Sequence, residues 1–118
     1  LTWLLSMLAM VAALIGGTAL TFAKTNGAVC ITVTNSSQRA IIHLYLAPPS
    51  DPNKWGPDQL NGSTIPTGGS HVLNDACGAG GVRVIAEDQN GCFVYYNASC
   101  DANQTWEITD NEAPDCGG

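Results

Sequence analysis

The sequence has few basic residues: four Lys and Arg stand against ten Asp and Glu, and the formal net charge is −6 at pH 7. Nucleic-acid binding depends on clustered Lys and Arg side chains that displace counterions from phosphates. This composition therefore excludes nucleic acid as a partner. It also disfavours adsorption to the surface of an anionic membrane, for the same reason.

The sequence also lacks the residue spacings of common catalytic and metal sites. It has no C-x-x-C pair, no G-x-S-x-G elbow and no Gly-Lys-Ser/Thr phosphate loop. A type-1 copper site is disfavoured because both methionines, Met7 and Met10, lie in the first segment and no His follows a late cysteine. His43 and His71 are interpreted as ordinary strand residues. The sequence thus predicts a protein that is not an enzyme, with no catalytic residue, cofactor or metal.

No charged residue occurs in residues 1–23. A helix of this length spans roughly 30 Å, the thickness of the hydrocarbon core of a bilayer. The segment therefore predicts one transmembrane helix, followed by a linker at 24–28. A cleaved signal peptide is the alternative, because Thr21-Phe22-Ala23 fits a cleavage site, but the apolar core of a signal peptide is only about 7–15 residues long. We expect the helix to be retained.

The predicted helix carries a stripe of small residues. Ala9, Ala13 and Gly17 recur at four-residue spacing, with Ala12 and Gly16 beside them. Small residues let helix backbones approach closely in lipid, so the stripe predicts packing on other membrane helices. The ordinary abundance of Ala and Gly in membrane helices is an equally good explanation.

All five cysteines lie after the predicted helix. Because disulfides persist in oxidising compartments, we expect a single-pass protein of the inner (cytoplasmic) membrane with its C-terminal domain on the periplasmic or extracellular side. Lys24 alone favours the opposite orientation, weakly. Four N-x-S/T sequons begin at Asn35, Asn61, Asn97 and Asn103, and they are acceptors only in a host that glycosylates exported proteins.

Short alternating apolar runs separated by turn residues fill residues 29–109 and predict a small disulfide-containing β-sandwich of about seven antiparallel strands. In the second strand, the period of two places Ile42, Leu44 and Leu46 on the core face. Residues 110–118 read as an acidic C-terminal tail. The predicted strands cover residues 29–35, 40–47, 63–65, 70–73, 81–87, 92–97 and 105–109.

The clearest local prediction is a hairpin around Asn90-Gly91, a strong turn dipeptide. Pairing of its two arms brings Cys77 and Cys100 opposite each other, which favours a disulfide between them. One further pair is expected among Cys30, Cys92 and Cys116, with Cys30 as the preferred participant.

Several motifs resemble those of a group of short, exported bacterial β-sandwich proteins of unassigned function. They are V-T-N-x-S at 33–37, L-Y-L-A-P at 44–48 and W-G-P-D-Q-L at 55–60, the most specific element, which contains Trp55, Gly56, Asp58 and Leu60. The resemblance covers about residues 29–108 and implies no activity. A structural role for the last motif is expected, in which the 47–63 connection folds back and Trp55 covers an edge of the sandwich.

These observations predict a non-enzymatic accessory subunit of a membrane complex, with its helix packed on partner helices and its β domain capping the periplasmic face. The expected partners are other membrane subunits or copies of the chain itself, together with the lipid bilayer. A pilin-like filament subunit, with the apolar helix as filament core, is the first alternative. A small ligand- or ion-binding module is the second.

Overall fold

The computed structural model describes residues 29–77 and 80–117. The predicted transmembrane helix and its small-residue stripe lie outside these residues, and the described part contains no helix that could cross a membrane. Six strands are described, close to the predicted ones: β1 (Ile31–Asn35), β2 (Ile41–Ala47), β3 (Ser70–Leu73), β4 (Val82–Asp88), β5 (Phe93–Ala98) and β6 (Gln104–Ile108).

The strands form two three-stranded sheets, which confirms the all-β class. One sheet has the order β3-β1-β6 and the other β2-β4-β5. The expectation of antiparallel pairing throughout is wrong, because β1 and β6 run parallel, with Val33 opposite Trp106. The chain passes from one sheet to the other between β5 and β6. No hairpin turn joins these two described strands, so β6 need not run antiparallel to its neighbour.

The predicted strand at 63–65 is reduced to one bridge between Ile65 and Ile41. The two residues exchange backbone hydrogen bonds of 2.9 and 3.0 Å. Pro66 follows directly and has no N–H to donate, so the ladder does not continue.

The core lies between the two sheets and draws side chains from both. Tyr96 on β5 and Trp106 on β6 stack across it with ring centroids 5.5 Å apart. Fourteen buried residues form this core: Ile31, Val33, Ile41, Leu44, Leu60, Ile65, Leu73, Val82, Val84, Ala86, Val94, Ala98, Trp106 and Ile108.

The predicted core face of β2 is correct only in part. Ile41 pairs with Asp88 and His43 with Glu87, so Ile42 is an extra residue in the ladder. Such a β-bulge shifts the alternation by one position. Ile41 is therefore completely buried and Ile42 only half-buried, whereas Leu44 keeps its predicted place in the core.

The predicted hairpin is present as β4 and β5. The buried Asp88 ends β4, and its Oδ1 accepts the backbone N–H groups of Asn90 and Cys92 at 2.9 and 3.1 Å. Gly91 takes a φ of 79°, a conformation that glycine adopts at little cost. Asp88 Oδ2 accepts the Nε–H of Arg39 at 2.7 Å, which neutralises the buried carboxylate.

Two disulfides join Cys77 to Cys100 and Cys92 to Cys116. The first is the pair favoured by the hairpin. The preference for Cys30 in the second pair is wrong. Asp115 exchanges two backbone hydrogen bonds of 2.8 Å with Phe93, which brings Cys116 beside Cys92, while Cys30 lies directly before β1 of the other sheet.

A buried polar network occupies the V-T-N-x-S motif. Asn35 is completely buried, and its Nδ2 donates to the carbonyls of Arg39 and Ile65 at 2.8 and 2.9 Å. Its Oδ1 accepts from the backbone N–H and the hydroxyl of Ser37 at 3.0 and 2.7 Å. The motif thus fixes the turn between β1 and β2, because the buried Asn35 amide and the Ser37 N–H satisfy their hydrogen-bonding groups within it.

Candidate functional site

The outer face of the β2-β4-β5 sheet points away from the core and carries a group of aromatic side chains. Strand alternation puts His43 and Tyr45 of β2 on this face, together with Phe93 and Tyr95 of β5. Trp55 lies over them from the connection between β2 and β3. We call these five residues the aromatic face.

Trp55 lies between two other rings of the aromatic face. Its ring stacks on Tyr45 at a centroid distance of 5.3 Å and meets Phe93 edge-on at 5.2 Å. Its Nε1–H donates to the carbonyl of Pro52 at 3.2 Å, yet 37% of the residue stays exposed. The expectation that Trp55 covers a sheet edge therefore needs correction, since the ring covers a sheet face.

A second small apolar layer lies beneath the aromatic face. Ile85 pairs with Tyr45 on one side and Tyr95 on the other, so it shares their face of the sheet. It is nevertheless completely buried and does not belong to the main core. Its burial on this face indicates that the flanking rings of Tyr45 and Tyr95 cover it.

The edge of β2 is covered by the backbone of the W-G-P-D-Q-L motif. Gly56 and Gln59 donate their N–H groups to the carbonyls of Leu46 and Leu44 at 2.9 and 2.7 Å. Leu60 then enters the core. The motif thus fastens the long connection to β2 by main-chain bonds and one apolar anchor, which leaves Trp55 on the outer face.

Asp58 completes this attachment with its side chain. Its Oδ1 accepts the backbone N–H groups of Leu44 and Leu60 at 3.1 and 3.0 Å, and its Oδ2 lies 2.7 Å from Nδ1 of His43. Burial acts to raise the pKa of Asp58, but the hydrogen bonds from Leu60, His43 and Leu44 outweigh it, and the pKa lies below its ordinary value of 3.8. The group is therefore a carboxylate at neutral pH.

Two tyrosines of the aromatic face remain protonated phenols well into the alkaline range. Burial, with the charges of Glu87 and Asp58, raises the pKa of Tyr45. Burial and the Asp115 carboxylate raise the pKa of Tyr95, against an opposing effect of Arg83. The Tyr45 and Tyr95 hydroxyls lie 3.5 Å from Glu87 Oε1 and 3.4 Å from Asp115 Oδ2.

The chemistry that the aromatic face offers depends on His43, the rings and the neighbouring carboxylates. The contact between His43 and Asp58 has the form of a base and its orienting carboxylate, but no described hydrogen bond joins His43 to a Ser or Cys nucleophile. No group of three or more His, Cys, Asp or Glu able to hold a metal occurs among the described residues. Exposed rings beside three carboxylates, those of Asp58, Glu87 and Asp115, instead form a surface for contacts with apolar and cationic groups.

The predicted site residues fall into separate places. Trp55, Gly56, Asp58 and Leu60 are brought together at β2, whereas Ala9, Ala12, Ala13, Gly16 and Gly17 lie outside the described residues. Of the sequon asparagines, Asn35 is buried, while Asn61, Asn97 and Asn103 are exposed. Sequence reasoning missed Tyr45 and Phe93 as members of one surface, although their alternation opposite the core positions of β2 and β5 was a usable signal.

Comparison with known proteins gives little further information. No family model and no curated protein matches the chain. The NMR structure of a protein from Eubacterium rectale is similar at a TM-score of 0.48 and 13% identity, covering 79% of this chain and 88% of that one. A likeness at this level transfers neither function nor site residues.

Proposed function

We propose that this protein is a non-enzymatic subunit of a larger membrane assembly, and that the aromatic face is the surface by which its β domain contacts a partner on the exported side. The observation that carries the proposal is the position of Trp55, held partly exposed between Tyr45 and Phe93. Tryptophan and tyrosine are enriched among the residues that dominate binding energy at protein interfaces.

The partner is a subunit that presents basic side chains. Asp58, Glu87 and Asp115 border the rings, and the chain as a whole carries a net charge of −6. Opposite charge across an interface speeds association and selects partners. Lys and Arg also gain by lying over aromatic rings.

The disulfides and the apolar segment support the proposed location. Two disulfides in a small domain fit an oxidising compartment. The uncharged residues 1–23 fit a single span of the inner membrane, with the small-residue stripe packed on partner helices.

Purification of the full-length chain from native membranes in mild detergent, followed by native mass analysis, tests the proposal. We expect a complex with at least one other subunit, and we expect Trp55→Ala to lose that subunit. Val72→Ala is the matched control, because Val72 is 47% exposed on the opposite sheet.

Three results would contradict the proposal. A monomer in every mild detergent would contradict the proposed membrane assembly. Equal recovery of the partner with Trp55→Ala and Val72→Ala would contradict the aromatic face as the contact surface. A helical polymer in electron micrographs of the native material would replace the proposal with a filament subunit.

A further inference from the structure

A cavity of about 430 Å³ lies beside the β4-β5 hairpin, at the opposite end from its turn. Four of its lining residues are apolar: Pro49 and Pro52 from the connection after β2, Val82 at the start of β4 and Ala98 at the end of β5. Arg83 and Asn97 are the polar residues of the lining. Volumes of this size are typical of small-molecule sites.

The backbone at this end of the hairpin is held in place by Gly81. Its φ of 103° is one that other residues rarely adopt, and a Cβ at this position would collide with the carbonyl oxygen of Ala98. The close approach of the two strands fixes Val82 and Ala98 in the cavity wall. This part of the cavity wall is therefore fixed by the fold, whereas Pro49 and Pro52 belong to the connection after β2.

Arg83 is the only described cationic side chain in the cavity lining. Its guanidinium carbon lies 4.2 Å from the centroid of the Tyr95 ring, so the group is held against an aromatic face. Its Nε is buried and has no hydrogen-bond partner among the described residues. A buried donor without an acceptor destabilises a folded protein, so Nε is an unmet requirement of the described structure.

The other arginine of the chain is in the opposite situation. Arg39 forms ion pairs with Asp88 and Asp110, at 2.7 and 3.1 Å. In the described part of the chain, Arg83 has no carboxylate within ion-pair distance, although the protein has an excess of acidic residues. The cavity thus keeps one guanidinium available for an anion from outside the domain.

We propose that this cavity binds a small molecule that carries one carboxylate on a compact apolar body. The planar guanidinium matches a carboxylate with two parallel hydrogen bonds from its two terminal nitrogens. Pro49, Pro52, Val82 and Ala98 contact the apolar body, and Asn97 contributes an amide at the rim. The site adjoins the partner contact proposed above at Tyr95, but Trp55 and His43 do not line it.

The first test uses the unaltered 118-residue chain in detergent micelles and observes arginine Nε–H groups by NMR. The sequence has two arginines, so Arg39 is an internal control. We expect millimolar benzoate to shift the Arg83 signal and leave the Arg39 signal in place, while uncharged benzamide shifts neither. A benzoate titration that leaves Arg83 unchanged overturns the proposal.

Two further probes define the ligand class. N-acetyl-leucine represents the C-terminal carboxylate of a peptide. If it binds more strongly than benzoate, the site is assigned to peptide C-termini rather than to small carboxylic acids. Inorganic phosphate has charge but no apolar body, so it should bind at least about tenfold more weakly than benzoate. Equal or tighter binding of phosphate would overturn the proposal that the ligand has an apolar body.

Variants complete the test. Arg83→Lys keeps the charge but loses the planar fork, and we expect benzoate affinity to fall at least about tenfold. Asn97→Asp places a negative charge at the exposed rim and should weaken binding severalfold without affecting the core. Lys54→Gln removes a charge outside the cavity and should change nothing. Wild-type affinity in both Arg83→Lys and Asn97→Asp would show that benzoate binds elsewhere.

Discussion

Nδ1 of His43 lies 2.7 Å from Oδ2 of Asp58, and this contact joins β2 to the connection that covers its edge. The pKa of Asp58 is lowered in the folded protein, so its carboxylate stabilises the fold above the unfolded value near 3.8. That contribution is lost as the pH falls through the lower folded pKa. Protonation of Asp58 in acid should therefore weaken this attachment.

We expect Asp58→Asn to flatten the pH dependence of the free energy of unfolding below about pH 4, because an amide does not titrate. His43→Ala should flatten it in part, since one of the hydrogen bonds that lower the pKa is removed. Chemical denaturation at a series of pH values measures both. An unchanged acid slope in Asp58→Asn would contradict the assignment.

Replacement of Trp55 tests the packing of the aromatic face on its own. Trp55→Ala loses the ring contacts with Tyr45 and Phe93 and exposes part of the aromatic face. We therefore expect a loss of about 1–2 kcal/mol in the free energy of unfolding. Trp55→Phe retains a ring and should lose less than half as much. Thermal unfolding measures the series. A neutral Trp55→Ala would mean that the ring does not pack on Tyr45 and Phe93 in solution.

Removal of the second disulfide should loosen the C-terminal segment as well as the whole domain. The cysteines Cys92 and Cys116 are 24 residues apart in sequence. The double variant Cys92→Ser/Cys116→Ser should lose about 3 kcal/mol, and the amide of Phe93 should exchange faster as Asp115 detaches. Hydrogen exchange by NMR reports both effects. Unchanged protection at Phe93 would show that the backbone bridge holds without the covalent bond.

The buried network at Asn35 predicts a large cost for a small substitution. Asn35→Ala removes one hydrogen bond from each of two carbonyls and leaves the buried Ser37 N–H without its acceptor, so we expect a loss of about 2–4 kcal/mol. Asn111→Ala, at an exposed position, should change stability by less than about 0.5 kcal/mol. Urea unfolding of the two variants is the measurement, and equal stabilities would contradict the network.

The same burial distinguishes the four sequons. In a host that glycosylates exported proteins, the folded product should carry no glycan at Asn35, because the side chain is inaccessible and its amide is already bonded. Asn61 and Asn97 are exposed and should be modified. Peptide mass analysis of the secreted protein gives the occupancy of each site. A folded product glycosylated at Asn35 would be incompatible with this structure.

The sequence pattern predicted the parts of the fold that depend on residues close together in the chain. The alternation in β4 and β5 and the Asn90-Gly91 turn placed the hairpin within one residue of its observed bounds. The bulge at Ile42 was not predictable, because it depends on the partner strand. The bridge at Ile65 likewise depends on a residue 24 positions earlier in the chain, Ile41.

The candidate site was less predictable than the fold. The W-G-P-D-Q-L motif was recognisable, but nothing in it indicated that Asp58 would meet His43 or that Trp55 would stack on Tyr45. The cavity at Arg83 is assembled from the segment after β2, the start of β4 and the end of β5, so only the folded chain brings its lining together.

The coverage of β2 restricts how copies of this domain can join. Unpaired main-chain groups at the edge of a sheet act as a template for a strand from another molecule. In the β2-β4-β5 sheet, Gly56, Gln59 and Ile65 already occupy the outer side of β2, and Asp115 occupies β5 at Phe93. Strand addition between copies is therefore blocked along β2 and at the start of β5.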